Sequence, residues 1–241
     1  MILPFLAVAG LALVHVFSPV LSVLDRVPRS RWLSFGGGVA VTLVFLEIIP
    51  ELAEYQQTLS RSLTDLLGFL DRHIYLLALV ALTAFYVTQR VVKGSRSRHR
   101  EATGQDTSGE GAFWLKLGVV ATKNAIVGYL LVREDRTPVA LLLFFLAIGM
   151  EFTISDRGMH EDHKEKYDRL GRWVLAAGVA AGAALGRAVE LPELTLAVLS
   201  AVLAGFIILN VFSEELPDER DSSVGAFTSG LVVYSALQLA L

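Results

Sequence analysis

The chain has no cysteine, which excludes disulfides and thiolate metal sites. Charge is scarce: Asp, Glu, Lys and Arg make up 19% of the residues, against about 25% in soluble domains. A formal net charge of −3 supplies no basic excess of the kind that nucleic-acid binding requires. No lysine or arginine precedes Arg26, so the first apolar run lacks a signal peptide's basic leader and reads as a retained helix. Hydrolase and nucleotide signatures are missing too: no GxSxG, no HExxH, no P-loop, and no GxGxxG in a strand–helix context. Nor is there a collagen, coiled-coil or low-complexity pattern. Nothing here points to an enzyme.

What the chain does have is apolar residues in long blocks. Hydrophobic residues make up 54% of it, and the mean hydropathy is +0.55. A helix needs about 20 apolar residues to cross a bilayer core. That ruler finds eight spans, at roughly 3–24, 32–50, 73–92, 113–132, 138–155, 173–189, 193–213 and 224–241. The expected fold class is an all-α polytopic membrane protein in a single membrane domain, residues 1–241. Helices 1–3 occupy 1–92 and helices 4–8 occupy 113–241. Between them, 93–112 is polar, rich in Gly and Ser and without apolar period, and reads as a flexible cytoplasmic loop. The sixth span carries Gly178, Gly182 and Gly186, two overlapping small-xxx-small steps that let a neighbouring helix approach closely.

Lysine and arginine in the loops set orientation. One side holds Arg26, Arg29, Arg31, Arg90, Lys93, Arg96, Arg98, Arg100, Arg157, Lys164, Lys166, Arg169, Arg172 and Arg220; the other holds Arg61, Arg72, Arg133, Arg136 and Arg187. The first set belongs in the cytoplasm, which puts both termini outside. The expected location is a prokaryotic inner membrane.

Charges inside a bilayer are expensive and mark functional candidates. Glu47 and Glu51 share a face of the second span, with Pro50 between them. In the fourth span, Lys116 and Lys123 are seven apart and share a face, and Asn124 follows. Lys116 lies near the cytoplasmic end, where its ammonium can snorkel to water; Lys123 lies near the middle and needs a partner, for which Glu47 and Glu151 are the obvious carboxylates. Glu151, Ser155 and Asp156 cluster near the end of the fifth span, and Asn210, Ser213 and Glu214 close the seventh. His15, among apolar residues, reads as a hydrogen-bonded core histidine. His160 and His163 are three apart, a helical spacing for metal ligands, in a run of the kind that is usually a solvated face.

The arrangement resembles the ZIP (Zrt/Irt-like) family of divalent metal transporters. Three segments carry the likeness: Glu47-Ile48-Ile49-Pro50-Glu51, Asn124 and Gly128 in Lys123-Asn124-Ala125-Ile126-Val127-Gly128, and Glu214, Glu215 and Pro217 after the seventh helix. The resemblance implies an eight-helix bundle with both termini outside, a homodimer, and transport of zinc, iron or manganese through a mid-membrane site on the fourth and fifth helices. It puts the candidate ligand oxygens on Glu47, Asn124, Glu151, Ser155, Asp156 and Glu214. Such hard ligands favour magnesium, manganese or calcium over zinc. The chain departs from the family where its histidine would be: Lys123 stands there, and Val127 stands in place of the acid. At ~4 Å and an effective dielectric near 20, an ammonium repels each unit of a cation's charge by about 4 kcal/mol. Lys123 must therefore swing away or lose its proton for an ion to bind. The alternative is a ZIP-fold protein that no longer carries metal, with Lys123 as internal counter-charge in a structural, regulatory or other solute role. An anion carrier anchored on Lys123 would want half-helix breaks, and the fourth span shows none.

Overall fold

A computed structural model describes residues 2–21, 29–59, 74–104, 107–163, 165–210 and 223–240. Every regular element among them is helical, and there are eight helices. They are α1 (Ile2–Leu21), α2 (Arg29–Leu43, a π turn Val44–Ile48, then Ile49–Leu59), α3 (Ile74–Thr103), α4 (Glu110–Arg133), α5 (Pro138–His163), α6 (Arg172–Ala188, entered through a π turn Tyr167–Gly171), α7 (Glu193–Asn210) and α8 (Val224–Leu239). Five stretches are long and apolar enough to cross a membrane: Ser34–Gln57, Ile74–Thr103, Glu110–Arg133, Pro138–His163 and Glu193–Asn210. Ile2–Ser18 and Val224–Leu239 are shorter apolar stretches.

Burial runs opposite to that of a water-soluble protein. Phe5, Leu6, Leu13, Phe17, Leu142, Leu146, Val232 and Val233 face outward, while His15, Lys116, Lys123, Asn124, Glu151, Asp156 and Asn210 are buried. Hydrocarbon tolerates the first set, and only the interior of the bundle can satisfy the second. The chain is an integral membrane protein with transmembrane helices.

Three expected boundaries move, and one is the end of α5: expected at 155, it lies at His163, so Glu151 is mid-helix and not near the end. The segment 93–112 is not a loop throughout: α3 continues as helix to Thr103, and α4 starts at Glu110. The polar extension is tied down along its length. Ser95 Oγ accepts from the Gly109 N–H at 3.0 Å, Arg96 donates to Asp162 at 3.1 Å, and His99 Nδ1 donates to the Thr107 carbonyl at 3.0 Å. α2 also runs past Pro50 to Leu59. Pro50 has no N–H, so the helix ladder must lose a bond one turn upstream. The helix widens there instead of stopping, and the Ile49 N–H reaches back five residues to the Val44 carbonyl.

The helices pair in a nested order around α5: α2 with α8, α3 with α7, and α4 with α6, while α1 lies on α5 and α6. Lipid tails are as apolar as leucine, so close backbone approach and dispersion drive such pairing rather than the hydrophobic effect. Each pair meets at glycine. Gly178, Gly182 and Gly186 lie on the α4 backbone at Ala121, Ala125 and Tyr129, in parallel register; the small-residue face expected from the sequence is the face α6 uses. Gly38 and Gly230 perform the same service between α2 and α8, and Gly205 between α7 and α3. A Cβ added at Gly182 would collide with the Ala125 carbonyl, whereas one at Gly118 meets nothing within 4 Å. Gly182→Ala should therefore cost ~2 kcal/mol or more through overpacking. Gly118→Ala should be neutral or stabilising by up to about 1 kcal/mol through helix propensity. Thermal unfolding in detergent compares the two.

Candidate functional site

α4 and α5 each bring one ionisable group to the middle of the bundle. Lys123 is the fourteenth residue of Glu110–Arg133, and Glu151 is the fourteenth of Pro138–His163. The Lys123 Nζ donates to Glu151 Oε1 at 2.7 Å, with both side chains buried. Asn210 Nδ2 donates to the same oxygen at 2.7 Å from α7. The Phe152 ring closes one side: the ammonium stands 5.1 Å from its centroid, and the His15 imidazole stacks on it at 4.5 Å.

A second polar chain starts at the neighbouring residue. Asn124 Nδ2 donates to His15 Nε2 at 2.8 Å, and His15 Nδ1 donates to Asp156 at 2.8 Å. The Tyr167 hydroxyl lies 2.7 Å from Ser18 Oγ. Burial, reinforced by nearby Asp156, raises the Tyr167 pKa, so the phenol keeps its proton. His15 is thus a hydrogen-bonded core histidine, as expected, and it couples α1 to α4 and α5.

Three oxygens in this interior, Asn124 Oδ1, Glu151 Oε2 and Asn210 Oδ1, are buried without a hydrogen-bond partner among the described residues. All three are acceptors, and the residues that carry them are at most 1% exposed. Bare acceptors are costly in a dry interior. A cation or a water molecule is the kind of species that would satisfy them.

The structure gathers only part of the expected ligand set. Asn124, Glu151, Ser155 and Asp156 are all buried on α4 and α5. Glu151 is held by Lys123, and Asp156 by His15. Glu47 is held elsewhere: it accepts from Arg136 and, through Oε2, from Gln238 at 3.2 Å. Glu214, with Ser213, Glu215 and Pro217, lies outside the described residues. Among the described residues, no three His, Asp or Glu side chains converge in a way that could hold a metal ion. His160 and His163 do not converge either. His160 meets Asp168 at 3.1 Å on the surface, and the buried His163 meets Ser108 Oγ at 2.7 Å.

Two further ion clusters close the ends of the bundle. At one end Arg136 joins Glu47, Glu134 (2.5 Å) and Glu51 (4.0 Å), and its guanidinium stacks 4.0 Å from the Phe144 centroid. Burial works against the Arg136 charge, but Glu134 and Glu47 outweigh it and raise its pKa further. At the other end Asp162 accepts from Lys116 at 2.9 Å and from Arg96 at 3.1 Å. Lys116 therefore does not snorkel; it is buried at 1% exposure, because a carboxylate lies within reach inside. The sequence reading missed Arg136 and Asp162. Both sit outside the apolar blocks, where charge is ordinary. The signal that could have found them is arithmetic: Glu47 and Lys116 each needed a partner on another helix.

No known protein family, no curated protein and no solved structure matches the chain.

Removing one partner of a buried pair leaves the other charge uncompensated, at a cost of about 3–5 kcal/mol. Lys123→Met should lower the thermal midpoint in detergent steeply. Lys123→Met/Glu151→Leu should recover most of the loss, because neither charge then remains. A double variant as unstable as the single would show that packing, not charge, holds this site.

Proposed function

We propose that the chain is a ZIP-like helix bundle that carries a divalent metal cation across the membrane, and that Lys123 keeps the cation's place at Glu151 until the ion arrives. The observation that carries this reading is the buried ion pair surrounded by bare oxygens: Lys123 on Glu151 Oε1, with Glu151 Oε2, Asn124 Oδ1 and Asn210 Oδ1 lacking partners among the described residues. An ammonium and a divalent ion cannot share one carboxylate cheaply, so loading requires Lys123 to leave. Glu151, Asn124 and Asn210, with Ser155 and Asp156 beside them, then offer only oxygen. Oxygen sites favour manganese, magnesium or calcium, and hold zinc or iron(II) less selectively. The eight-helix layout is the one the ZIP-like reading expects. Basic residues crowd the end of the bundle where α2, α4 and α6 begin, which agrees with both termini lying outside.

A second reading is favoured by the tightness of the pair itself. Asn210 and Phe152 both fix Glu151 and Lys123 in place, as they would if Lys123 were a permanent counter-charge in a bundle that carries no metal.

Flux into proteoliposomes loaded with a metal indicator separates the two. With manganese, iron(II), zinc and cadmium offered in turn, carriage predicts saturable flux in the parent that falls at least tenfold in Glu151→Ala. No flux in the parent, but flux gained in Lys123→Ala, would establish the permanent counter-charge. A parent flux indifferent to Glu151→Ala would reject a cation site at this carboxylate.

A further inference from the structure

The three tryptophans of the chain mark one plane. Trp32, Trp114 and Trp173 lie in the opening turns of α2, α4 and α6, and each is about half exposed (47%, 51% and 51%). The starts of these helices lie at one end of the bundle. α4 and α6 run parallel. Arg172 at the start of α6 donates to the Val16 carbonyl near the end of α1 at 3.3 Å, and α2 follows α1. The far part of α2 meets Arg136, at the opposite end. Exposed tryptophans on several helices at one level are the signature of a membrane–water interface. The level also fits the buried pair: Lys123 lies nine residues beyond Trp114, roughly 13 Å at 1.5 Å per residue, close to the middle of a core about 30 Å thick.

α3 crosses this plane and keeps going. Ser95 is hydrogen-bonded to Gly109 where α3 and α4 meet as neighbours. Counting five residues back along each antiparallel helix brings Arg90 level with Trp114. From there the helix carries Arg90, Lys93, Arg98 and Arg100 within three turns, all exposed and none in an ion pair among the described residues. Four other basic residues at this end have acidic partners: Arg96 has Asp162, Arg157 has Glu161, Lys166 has Glu110 and Arg169 has Glu165, while Arg172 meets the Val16 carbonyl and the Trp173 ring and Arg31 is in no ion pair among the described residues. Arg90 and Lys93 lie within the headgroup layer, which adds about 5–8 Å outside the core. Arg98 and Arg100 follow roughly 12–15 Å beyond the tryptophan plane, between one and two Debye lengths at physiological salt.

We infer that the end of α3 is a binding surface for anionic phospholipid headgroups, seated beside Trp114 and held by Arg90 and Lys93, with Arg98 and Arg100 adding attraction from further out. The occupant follows from charge and position. Four unpaired cations begin at the level where the phosphates of the adjoining leaflet lie, and a basic residue near an anionic membrane strengthens attraction roughly fivefold. Of the acidic side chains nearby, Asp162, Glu161, Glu110 and Glu165 are held by other cations, while the exposed Glu101 accepts from Ser97 and offsets part of the charge at Arg98 and Arg100. The inference does not depend on whether the bundle carries a cation.

Tryptophan fluorescence tests it on the full chain. Trp32→Phe/Trp173→Phe leaves Trp114 as the only reporter. In mixed bilayers, quenching by brominated phosphatidylglycerol is compared with quenching by brominated phosphatidylcholine. The expected result is a preference of about fivefold or more for the anionic lipid at Trp114, collapsing toward unity in Arg90→Gln/Lys93→Gln. Because both side chains are exposed, the substituted protein should keep its thermal midpoint in detergent. Equal quenching by the two lipids in the parent would overturn the inference, as would a preference that survives the substitutions. A parallel protein with Trp32 as sole reporter should be unaffected by them; an equal collapse there would show the effect is not local and would also overturn it.

Discussion

Everything in this bundle depends on neutralising charge where water cannot. An ion taken from water into a low-dielectric interior costs several kcal/mol even after relaxation. The chain buries Lys123 and Glu151 halfway along α4 and α5, and it places Nζ and Oε1 2.7 Å apart. At an effective dielectric near 20 that contact returns roughly 6 kcal/mol of attraction, enough to offset much of the penalty, and Asn210 adds a charge-assisted hydrogen bond. The same solution recurs at each end with different partners: Arg136 among Glu47, Glu51 and Glu134, and Asp162 between Lys116 and Arg96. The buried charges are thus arranged as three clusters: two join α4 to α5, one of them drawing in Asn210 of α7 and the other Arg96 of α3, and the third ties the α4–α5 turn to α2.

The glycine contacts make those clusters possible. A charge pair must be held to within a few tenths of an ångström, and side chains on separately sliding helices would not stay matched. Backbone-to-backbone packing at Gly182, Gly38 and Gly205 leaves little room to slide. The parallel register of α4 and α6 then fixes the depth of Lys123, while α1, seated on α5 and α6, brings His15 between Asn124 and Asp156. Polar specificity and small-residue packing are two parts of one construction.

Much of the fold was legible in the sequence because lipid imposes a simple code. Apolar blocks of about 20 residues gave the helices, and Gly178, Gly182 and Gly186 gave the contact face of α6. Polar outliers within the blocks gave Lys123, Asn124, Glu151 and Asp156, and the pairing of Lys123 with Glu151 was one of two options that charge balance allowed. What stayed hidden was whatever depends on three-dimensional reach. Glu47 was the other option for Lys123, and only the packing of α2 against the α4–α5 turn shows that Arg136 takes it. Lys116 looked able to snorkel because Asp162, 46 residues away in the chain, carries no sign of its position. The extension of α3 was obscured by composition, since Gly and Ser in 93–103 resemble a linker until their hydrogen bonds to α4 and α5 are seen.

The π turn at Val44–Ile48 has a consequence for how the chain tolerates change in length. A π turn holds one residue more than the α-helical turn it replaces, and a residue turns an α-helix by about 100°. The turn therefore works as a rotational offset within α2: residues before it keep the angle that packs Gly38 on α8, and residues after it keep the angle that presents Glu51 to Arg136 and Ser200. Deleting any one of the five residues would let the helix relax to regular geometry and would turn its two halves out of phase, so that only one face at a time could find its partner. Length at this point is a structural coordinate in its own right, set by a single surplus residue.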